Sequence, residues 1–147
     1  MTPVGAENRI ALLTTFSMRG ALWGMDASNV QEVVRVGTLT AVPFAAPEIA
    51  GIMNLRGRIV TVIDAGLKLG YPRAAPTADS RIFIIEDRGE FLGMLVDCVN
   101  EVIEAEEVAW DPLPANTAHS RFAKGVTRVG GRVLTLVDAS QILAAMS

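Results

Sequence analysis

The hydrophobic residues of this chain fall into short runs of strand length separated by polar, glycine-containing turns. Runs at residues 10–18 and 21–25 flank Arg19-Gly20, a dipeptide typical of a tight turn. Runs at residues 82–85 and 91–96 flank a short polar loop that also contains a glycine. Two apolar runs joined by such a turn predict a β-hairpin, so the pattern predicts two hairpins.

Further strands are predicted where β-branched and aliphatic residues dominate. Residues 31–36 and 101–103 are rich in such residues and are predicted to be extended. Residues 58–63 and 132–137 are aliphatic runs of strand length, each entered by a glycine.

Two short helices are predicted directly after these last strands. Asp64 and Asp138 end the strands, and an aspartate carboxylate can accept the free amides of a first helical turn. The expected helices are residues 65–69, stopped by Gly70, and residues 139–146. An alternative is that Asp64 and Asp138 pair as an acid/base couple.

An internal repeat organises these elements. Three segments recur in the same order, the first two at an offset of 69 residues and the third at 74. The pairs are 20–25 with 89–94, 30–34 with 99–103, and 51–65 with 125–139. Six of the 15 positions in the longest pair are identical. The larger second offset places extra residues of the second copy in a predicted loop at 110–124.

The repeat predicts a mainly β fold in one domain spanning residues 1–147. Each copy is expected to form a small five-stranded, SH3-like β-barrel, because closing a small antiparallel sheet removes its exposed edges. Subdomain 1 is expected at about 20–70 and subdomain 2 at about 80–138, with a linker at 73–79. The N-terminal strand and the C-terminal helix can cross between the two subdomains.

Composition and charge narrow the classes of function. Half of the residues are hydrophobic, which favours a well-buried core over disorder. The net charge is −3, which argues against a binder of duplex nucleic acid, since such proteins need a basic face. No segment reaches about 18 uninterrupted apolar residues, so no membrane-spanning helix is predicted and a cytoplasmic location is expected.

The inventory of chemically active residues is thin. A zinc site needs about four Cys or His ligands, and the chain has one of each, Cys98 and His119. No Gly-x-Ser-x-Gly element and no phosphate-binding glycine motif is present. We therefore expect no enzyme activity, no metal and no cofactor. A hydrolase using His119 and a β-barrel that binds small ligands or single-stranded nucleic acid stay open as alternatives.

Arg56 is the candidate functional residue. It lies in Asn54-Leu55-Arg56-Gly57, just before a predicted strand, and the second copy of the repeat has Gly130 in its place. The repeated scaffold therefore does not require an arginine there. Arg56 is either an ordinary solvated residue or a functional one held by a carboxylate, for which Glu32 is the candidate.

Several motifs resemble the CheW family of chemotaxis coupling proteins. They include Val30-Gln-Glu-Val-Val34, Asn54-Leu-Arg-Gly57 and Gly93-Met-Leu-Val-Asp-Cys-Val99, and the likeness runs from about residue 11 to 143. The resemblance implies two five-stranded β-barrels with a hydrophobic seam between them, and no catalysis. Thr61 and Ala65 depart from the residues common in the family, at positions on the strand and the helix cap.

The resemblance also implies two partners: the regulatory domain of a CheA-type histidine kinase and the cytoplasmic tip of a methyl-accepting chemoreceptor. Glu32 and Arg56 would form an ion pair beside a groove for the helical receptor tip. The partner-binding residues implied are Val30, Glu32, Gly51, Asn54, Leu55, Arg56 and Gly57. The protein would be recruited to membrane-associated receptor arrays, without inserting into the membrane and without binding nucleic acid.

Overall fold

The computed structural model describes residues 10–87, 89–106 and 122–144, which form ten strands and three short helical segments. The strands are β1 (Ile10–Met18), β2 (Ala21–Asp26), β3 (Val30–Arg35), β4 (Ile49–Leu55), β5 (Arg58–Asp64), β6 (Arg81–Asp87), β7 (Glu90–Val96), β8 (Cys98–Glu106), β9 (Ala123–Val129) and β10 (Arg132–Val137). A 3₁₀ helix covers Ala27–Asn29, α1 covers Ala65–Lys68 and α2 covers Ala139–Ala144. None of the described helices is long and apolar enough to cross a membrane.

The strands form two five-stranded sheets of the same topology. Sheet A has the order β8-β1-β2-β10-β9, and sheet B has the order β3-β6-β7-β5-β4. Most neighbours are antiparallel, but β2 pairs with β10 and β5 pairs with β7 in parallel. The predicted fold class, mainly β with two five-stranded units, is confirmed. Within the described residues no ladder joins the two outer strands of either sheet.

The sheets divide the chain differently from the subdomain ranges 20–70 and 80–138 expected from the repeat. Sheet A combines the hairpin β1–β2 with β8, β9 and β10, and sheet B combines the hairpin β6–β7 with β3, β4 and β5. Each repeat copy thus donates its hairpin to the sheet built from the rest of the other copy. The N-terminal strand was considered able to cross between the subdomains, and in the structure the whole first hairpin, β1–β2, does so.

Two-residue turns close the hairpins. Arg19-Gly20, Arg56-Gly57 and Gly130-Gly131 all have positive φ at both positions, with values between 49° and 84°. This is the signature of a type I′ turn, whose twist matches that of the flanking strands. The loop predicted at 86–90 is shorter than expected. Strand β6 continues to Asp87 and β7 begins at Glu90. The predicted loop at 110–124, with Trp110 and His119, lies mostly outside the described residues.

Alternate residues of each strand divide the apolar side chains among three clusters. The central cluster lies between the sheets and holds residues from both, including Phe16 of β1 and Phe83 of β6, whose rings meet edge to face at 5.3 Å. On the other face of sheet B, Val60 and Ile84 belong to a second cluster, and sheet A has a third. The two sheets are therefore joined by one buried apolar seam.

Both predicted helix caps are present. The Asp64 carboxylate accepts from the Leu67 main-chain N–H at 3.2 Å, and the Asp138 carboxylate accepts from the Ser140 N–H at 3.0 Å. Each carboxylate satisfies a free amide of the first turn of its helix. The predicted helices are confirmed, ending at Lys68 and, within the described residues, at Ala144.

Arg19 ties the β1–β2 turn of sheet A to the connection between β7 and β8 and to the segment between α1 and β6 of sheet B. Its Nη1 donates to the Asp97 carboxylate at 2.8 Å, and its Nη2 donates to the Pro72 carbonyl at 2.6 Å. Its main-chain N–H also donates to Asp97, and its guanidinium lies 5.9 Å from the centre of the Tyr71 ring. These contacts link the turn of sheet A to segments adjoining sheet B, at the edge of the buried apolar seam.

We expect Arg19→Gly to destabilise the fold. Glycine suits the positive φ of this turn position, so the change removes the side-chain contacts without straining the backbone. Loss of a partly exposed charge-assisted hydrogen bond should lower the free energy of unfolding by about 1–2 kcal/mol. Urea denaturation measures it. An unchanged midpoint would show that Arg19 contributes nothing to the joining of the sheets.

Candidate partner-binding site

Arg56 occupies a turn position that does not favour arginine. Its φ is 52°, in the left-handed region, and the following Gly57 has φ of 84°. The Asn54 carboxamide oxygen accepts from the Gly57 main-chain N–H at 2.8 Å and holds the turn closed. A left-handed conformation costs a residue with a Cβ about 1–2 kcal/mol. Glycine, as at Gly130, would be more stable at this turn position. The conformation of the turn therefore does not explain why an arginine is present.

Glu32 holds the Arg56 side chain in a fixed orientation. Nη1 donates to Oε2 of Glu32 at 3.1 Å, and Nη2 donates to Oε1, so the guanidinium and the carboxylate pair through two parallel bonds. Glu32 belongs to β3 and Arg56 to the β4–β5 turn, and β3 and β4 are the two outer strands of sheet B. The ion pair therefore links these strands by their side chains. The Arg56 side chain remains 70% exposed.

The ion pair lies at the edge of an open groove in sheet B, which we call the Arg56 groove. It has a volume of about 300 Å³, and every strand of the sheet contributes to it. Its lining residues are Gln31, Glu32, Leu55, Arg56, Arg58, Val60, Ile84 and Phe91. Val60 and Ile84 give it an apolar floor, while the charged residues stand at its rim.

Arg58 and Phe91 are site residues that the sequence reasoning missed. The Arg58 guanidinium lies 4.3 Å from the centre of the Phe91 ring, a cation–π contact across the groove. The repeat carried a signal for them, because Arg58 aligns with Arg132 and Phe91 with Leu22, and both of those residues line an equivalent groove in sheet A.

The structure brings together some of the predicted binding residues and places others elsewhere. Glu32, Leu55 and Arg56 line the groove, and Asn54 and Gly57 shape the turn that carries Arg56. The other two predicted residues do not line it. Val30 packs against the central cluster, and Gly51 is buried against the main chain of Thr40. That Val30 and Gly51 share a partner surface with Arg56 stays a prediction.

Electrostatics keep the pair ionised. The hydrogen bond from Arg56 holds the pKa of the Glu32 carboxyl below its ordinary value of 4.5, against an opposing effect of burial. The same bond raises the pKa of Arg56. A group whose folded pKa is depressed stabilises the fold above its unfolded pKa, and this contribution is lost as the pH falls through the folded pKa. The pair should therefore persist at neutral pH and open only below about pH 4.5.

This dependence gives a direct test of the ion pair. In an Arg56→Gly variant, the pKa of Glu32 is expected to rise, because the donor that depresses it is gone. Titration of the Glu32 side-chain carboxyl by NMR, in the wild-type protein and the variant, measures the change. Identical titration curves would show that the two side chains do not pair in solution.

Nothing in the groove resembles a metal centre. In the part of the chain that the structure describes, no group of three or more His, Cys, Asp or Glu residues is placed to hold a metal ion. The donors and acceptors of the Arg56 groove are instead charged and apolar side chains at a surface. Such an arrangement suits protein recognition, in which an oriented guanidinium beside an apolar floor supplies both affinity and direction.

Comparison with known proteins gives a consistent result. The model of the CheW-like domain family matches residues 13–146. The probable chemotaxis protein CheW of Rhizobium etli is 27% identical over 122 residues, covering 82% of this chain and 79% of its own. The chemotaxis protein CheW of Bacillus subtilis is 28% identical over 133 residues, covering 89% and 85%. The crystal structure of the scaffolding protein TtCheW from Thermoanaerobacter tengcongensis superposes with a TM-score of 0.82 at 33% identity, covering 88% and 89% of the two chains.

Proposed function

The chain belongs to the CheW-like domain family, and on that premise we propose that it joins the cytoplasmic tip of a chemoreceptor to the regulatory domain of a CheA-type histidine kinase. It is a chemotaxis coupling adaptor. Its proposed action is to hold receptor and kinase at a fixed geometry, at the cytoplasmic side of receptor arrays, and it performs no reaction of its own. The comparisons do not support the alternative of a ligand-binding or nucleic-acid-binding barrel.

The observation that carries this proposal is the Glu32–Arg56 pair. The turn that bears Arg56 would be more stable with glycine, yet it presents an arginine whose orientation is fixed by a carboxylate and whose surface is mostly exposed. A side chain ordered before binding loses little entropy when a partner arrives. Arg56 is therefore suited to donate a hydrogen bond to a polar group on the receptor, beside the apolar floor of its groove.

The start of β3 also offers apolar contacts to a helical receptor tip. Val30 pairs with Ile85 and packs against the central cluster. Glu32 pairs with Ile84 on the opposite face of the sheet, because a bulge at Gln31 shifts the register. Val33 lies opposite Phe83, so it points towards the central cluster, yet it is 41% exposed. A helix that packs against this strand could bury Val30 and Val33 while reaching the guanidinium.

Val102 adds a similar contact from sheet A. It pairs with Thr14, which pairs with the buried Met25 of the central cluster, so Val102 faces the seam and is 58% exposed. Contacts of this kind are individually small. In an array, many such adaptors bind at once, and the high effective concentration strengthens each contact.

Replacement of Arg56 tests the proposed receptor surface. Arg56→Gly should weaken binding of a receptor cytoplasmic fragment about tenfold, the loss expected for one charge-assisted hydrogen bond, while thermal stability is kept or raised. Isothermal titration calorimetry with the fragment from the same cell measures the affinity. Arg128→Ala, which removes the same charge from an exposed position in sheet A, is the control and should bind normally. Equal affinity of Arg56→Gly and the wild-type protein would contradict the assignment.

A further inference from the structure

Sheet A carries a second groove, equivalent to the Arg56 groove, which we call the Glu101 groove. It has a volume of about 240 Å³ and lies in the corresponding place on the sheet. Its lining residues are Thr15, Leu22, Asn100, Glu101, Ile103, Val129, Gly130 and Arg132. None of the predicted partner-binding residues lies among them.

The repeat relates seven of the eight residues that line each groove. Gln31 and Glu32 of β3 correspond to Asn100 and Glu101 of β8, and the strands are bulged at this same place. The remaining equivalent pairs are Leu55 with Val129, Arg56 with Gly130, Arg58 with Arg132, Ile84 with Thr15, and Phe91 with Leu22. The same scaffold thus builds both grooves, and their differences lie in side chains.

The decisive difference is the arginine. In sheet B the carboxylate of Glu32 is occupied by Arg56, but in sheet A the turn position is Gly130, with φ of 56°. Among the residues that the structure describes, no ion pair engages the carboxylate of Glu101. The Thr15 hydroxyl donates to the main-chain carbonyl of Glu101 rather than to its carboxylate. Nη2 of Arg132 donates to the Gly20 carbonyl at 3.3 Å.

The space above Glu101 is also open. A Cβ added at Gly130 would meet no described atom within 4 Å, so in this part of the chain nothing takes the place that the Arg56 side chain fills in sheet B. Below this opening lie the apolar side chains of Ile103 and Val129, which pack against the interior cluster of sheet A. Within the described residues, the groove therefore has an apolar floor, a carboxylate without an ion-pair partner at its rim, and an opening to the surface.

We propose that the Glu101 groove docks a partner protein that inserts an arginine, with its guanidinium on the Glu101 carboxylate and a neighbouring aliphatic side chain against Ile103 and Val129. Sheet B shows the chemistry that fits, since there the Arg56 guanidinium pairs with the Glu32 carboxylate beside an apolar floor. Charge complementarity selects the occupant, because an uncompensated carboxylate at a protein contact favours a cation and opposes an anion. This rests on the proposed adaptor function, and it gives the adaptor a docking surface separate from Arg56.

Two substitutions test the groove, one by filling it and the other by removing its charge. Gly130→Arg should place a guanidinium on Glu101 in the same chain, as Arg56 does for Glu32, and so exclude the partner's arginine. Glu101→Gln keeps the size of the side chain and removes its charge. Gly130→Asn is the control, since asparagine tolerates the left-handed conformation and carries no charge.

Binding is measured by calorimetry with the kinase regulatory domain and, separately, with the receptor fragment. Gly130→Arg and Glu101→Gln should both weaken binding of the same one of these two partners, by about tenfold. The affinity of Gly130→Asn for that partner should be close to that of the wild-type protein. The loss should shrink as salt rises, because the contact is between charges near the surface. If the wild-type protein binds both partners and the two variants bind both equally well, the inference is overturned and the adaptor function stands.

A second probe separates this inference from the proposed function. A cyclic β-hairpin peptide with a Leu-Arg-Gly turn is titrated into the labelled full chain. We expect saturable NMR shifts at the amides of Glu101 and Val129, and none in Gly130→Arg. If neither partner protein binds but the peptide produces these shifts, the proposed function fails and the groove's chemistry is supported. Absence of shifts in the wild-type protein would overturn the inference whatever the partners do.

Discussion

Replacement of Phe83 by alanine is expected to lower the free energy of unfolding by about 3–5 kcal/mol, the cost of removing a fully buried aromatic ring from a packed core. Phe83 is completely buried in the central cluster, where its ring meets that of Phe16 edge to face. Because this cluster is the apolar contact between the two sheets, the cavity would loosen their union. Typical domains are stable by about 5–15 kcal/mol, so the loss would be a large share of the total.

Urea denaturation, followed by tryptophan fluorescence, to which the buried Trp23 contributes, measures the effect. Phe44→Ala is the matched control, because Phe44 is a phenylalanine that is fully exposed and contributes nothing to the core. Its substitution should change the free energy of unfolding by no more than about 0.5 kcal/mol. Similar losses for the two variants would mean that the seam between the sheets is not the main source of stability.

Gly51→Ala is expected to cost about 2–4 kcal/mol, from backbone strain together with overpacking. Gly51 has φ of 150°, and a Cβ built there would lie 2.7 Å from the main-chain oxygen of Thr40. The neighbouring Ile52 exchanges two main-chain hydrogen bonds of 2.9 Å with Thr40, so this carbonyl cannot move away freely. The glycine thus allows β4 to lie close to the segment that follows β3.

Gly37→Ala provides the control for this substitution. A Cβ at Gly37 would meet no atom within 4 Å, so the change should leave stability nearly unaltered. Urea midpoints of the two variants give the comparison. If Gly51→Ala is as stable as Gly37→Ala but binds the receptor fragment poorly, then Gly51 is a contact residue, as the family resemblance implied, and the steric explanation is wrong.

The local elements could be predicted from the sequence because their signals are local. Arg19-Gly20 lies between two apolar runs, and Asp64 and Asp138 stand where strands end, so hairpin and caps are encoded within a few residues. The number of strands in each sheet followed from the repeat. The turn after Asp87 was predicted too long, because charged residues at 86–90 look like a loop although the strands continue through most of them.

The exchange of hairpins between sheets could not be predicted in the same way. It depends on the parallel pairing of β2 with β10 and of β5 with β7, which joins residues far apart in the sequence. Equivalent hairpins have the same apolar pattern, so the pattern alone does not decide with which half each one pairs. The members of the Arg56 groove that come from β6 and β7, Ile84 and Phe91, were missed for this reason.

The candidate site was predicted in part. The contrast of Arg56 with Gly130 in the repeat singled out the arginine, and Glu32 was predicted as its carboxylate partner. The structure adds the physical reason to regard the arginine as functional, namely that it occupies a left-handed turn position at an energetic cost. It also adds the corresponding groove at Glu101, a residue that was not among the predicted binding residues.

The central claim is that one molecule of this protein joins a receptor to a kinase, and a three-component sedimentation experiment tests it most directly. The receptor cytoplasmic fragment and the kinase regulatory domain are mixed with the wild-type protein or with Arg56→Gly and examined by analytical ultracentrifugation. The account predicts a ternary complex with the wild-type protein. With Arg56→Gly, at concentrations near the wild-type Kd for the receptor fragment, it predicts mainly a binary complex with the kinase domain. A folded wild-type protein that binds neither partner, or binds the two only in competition, would contradict it.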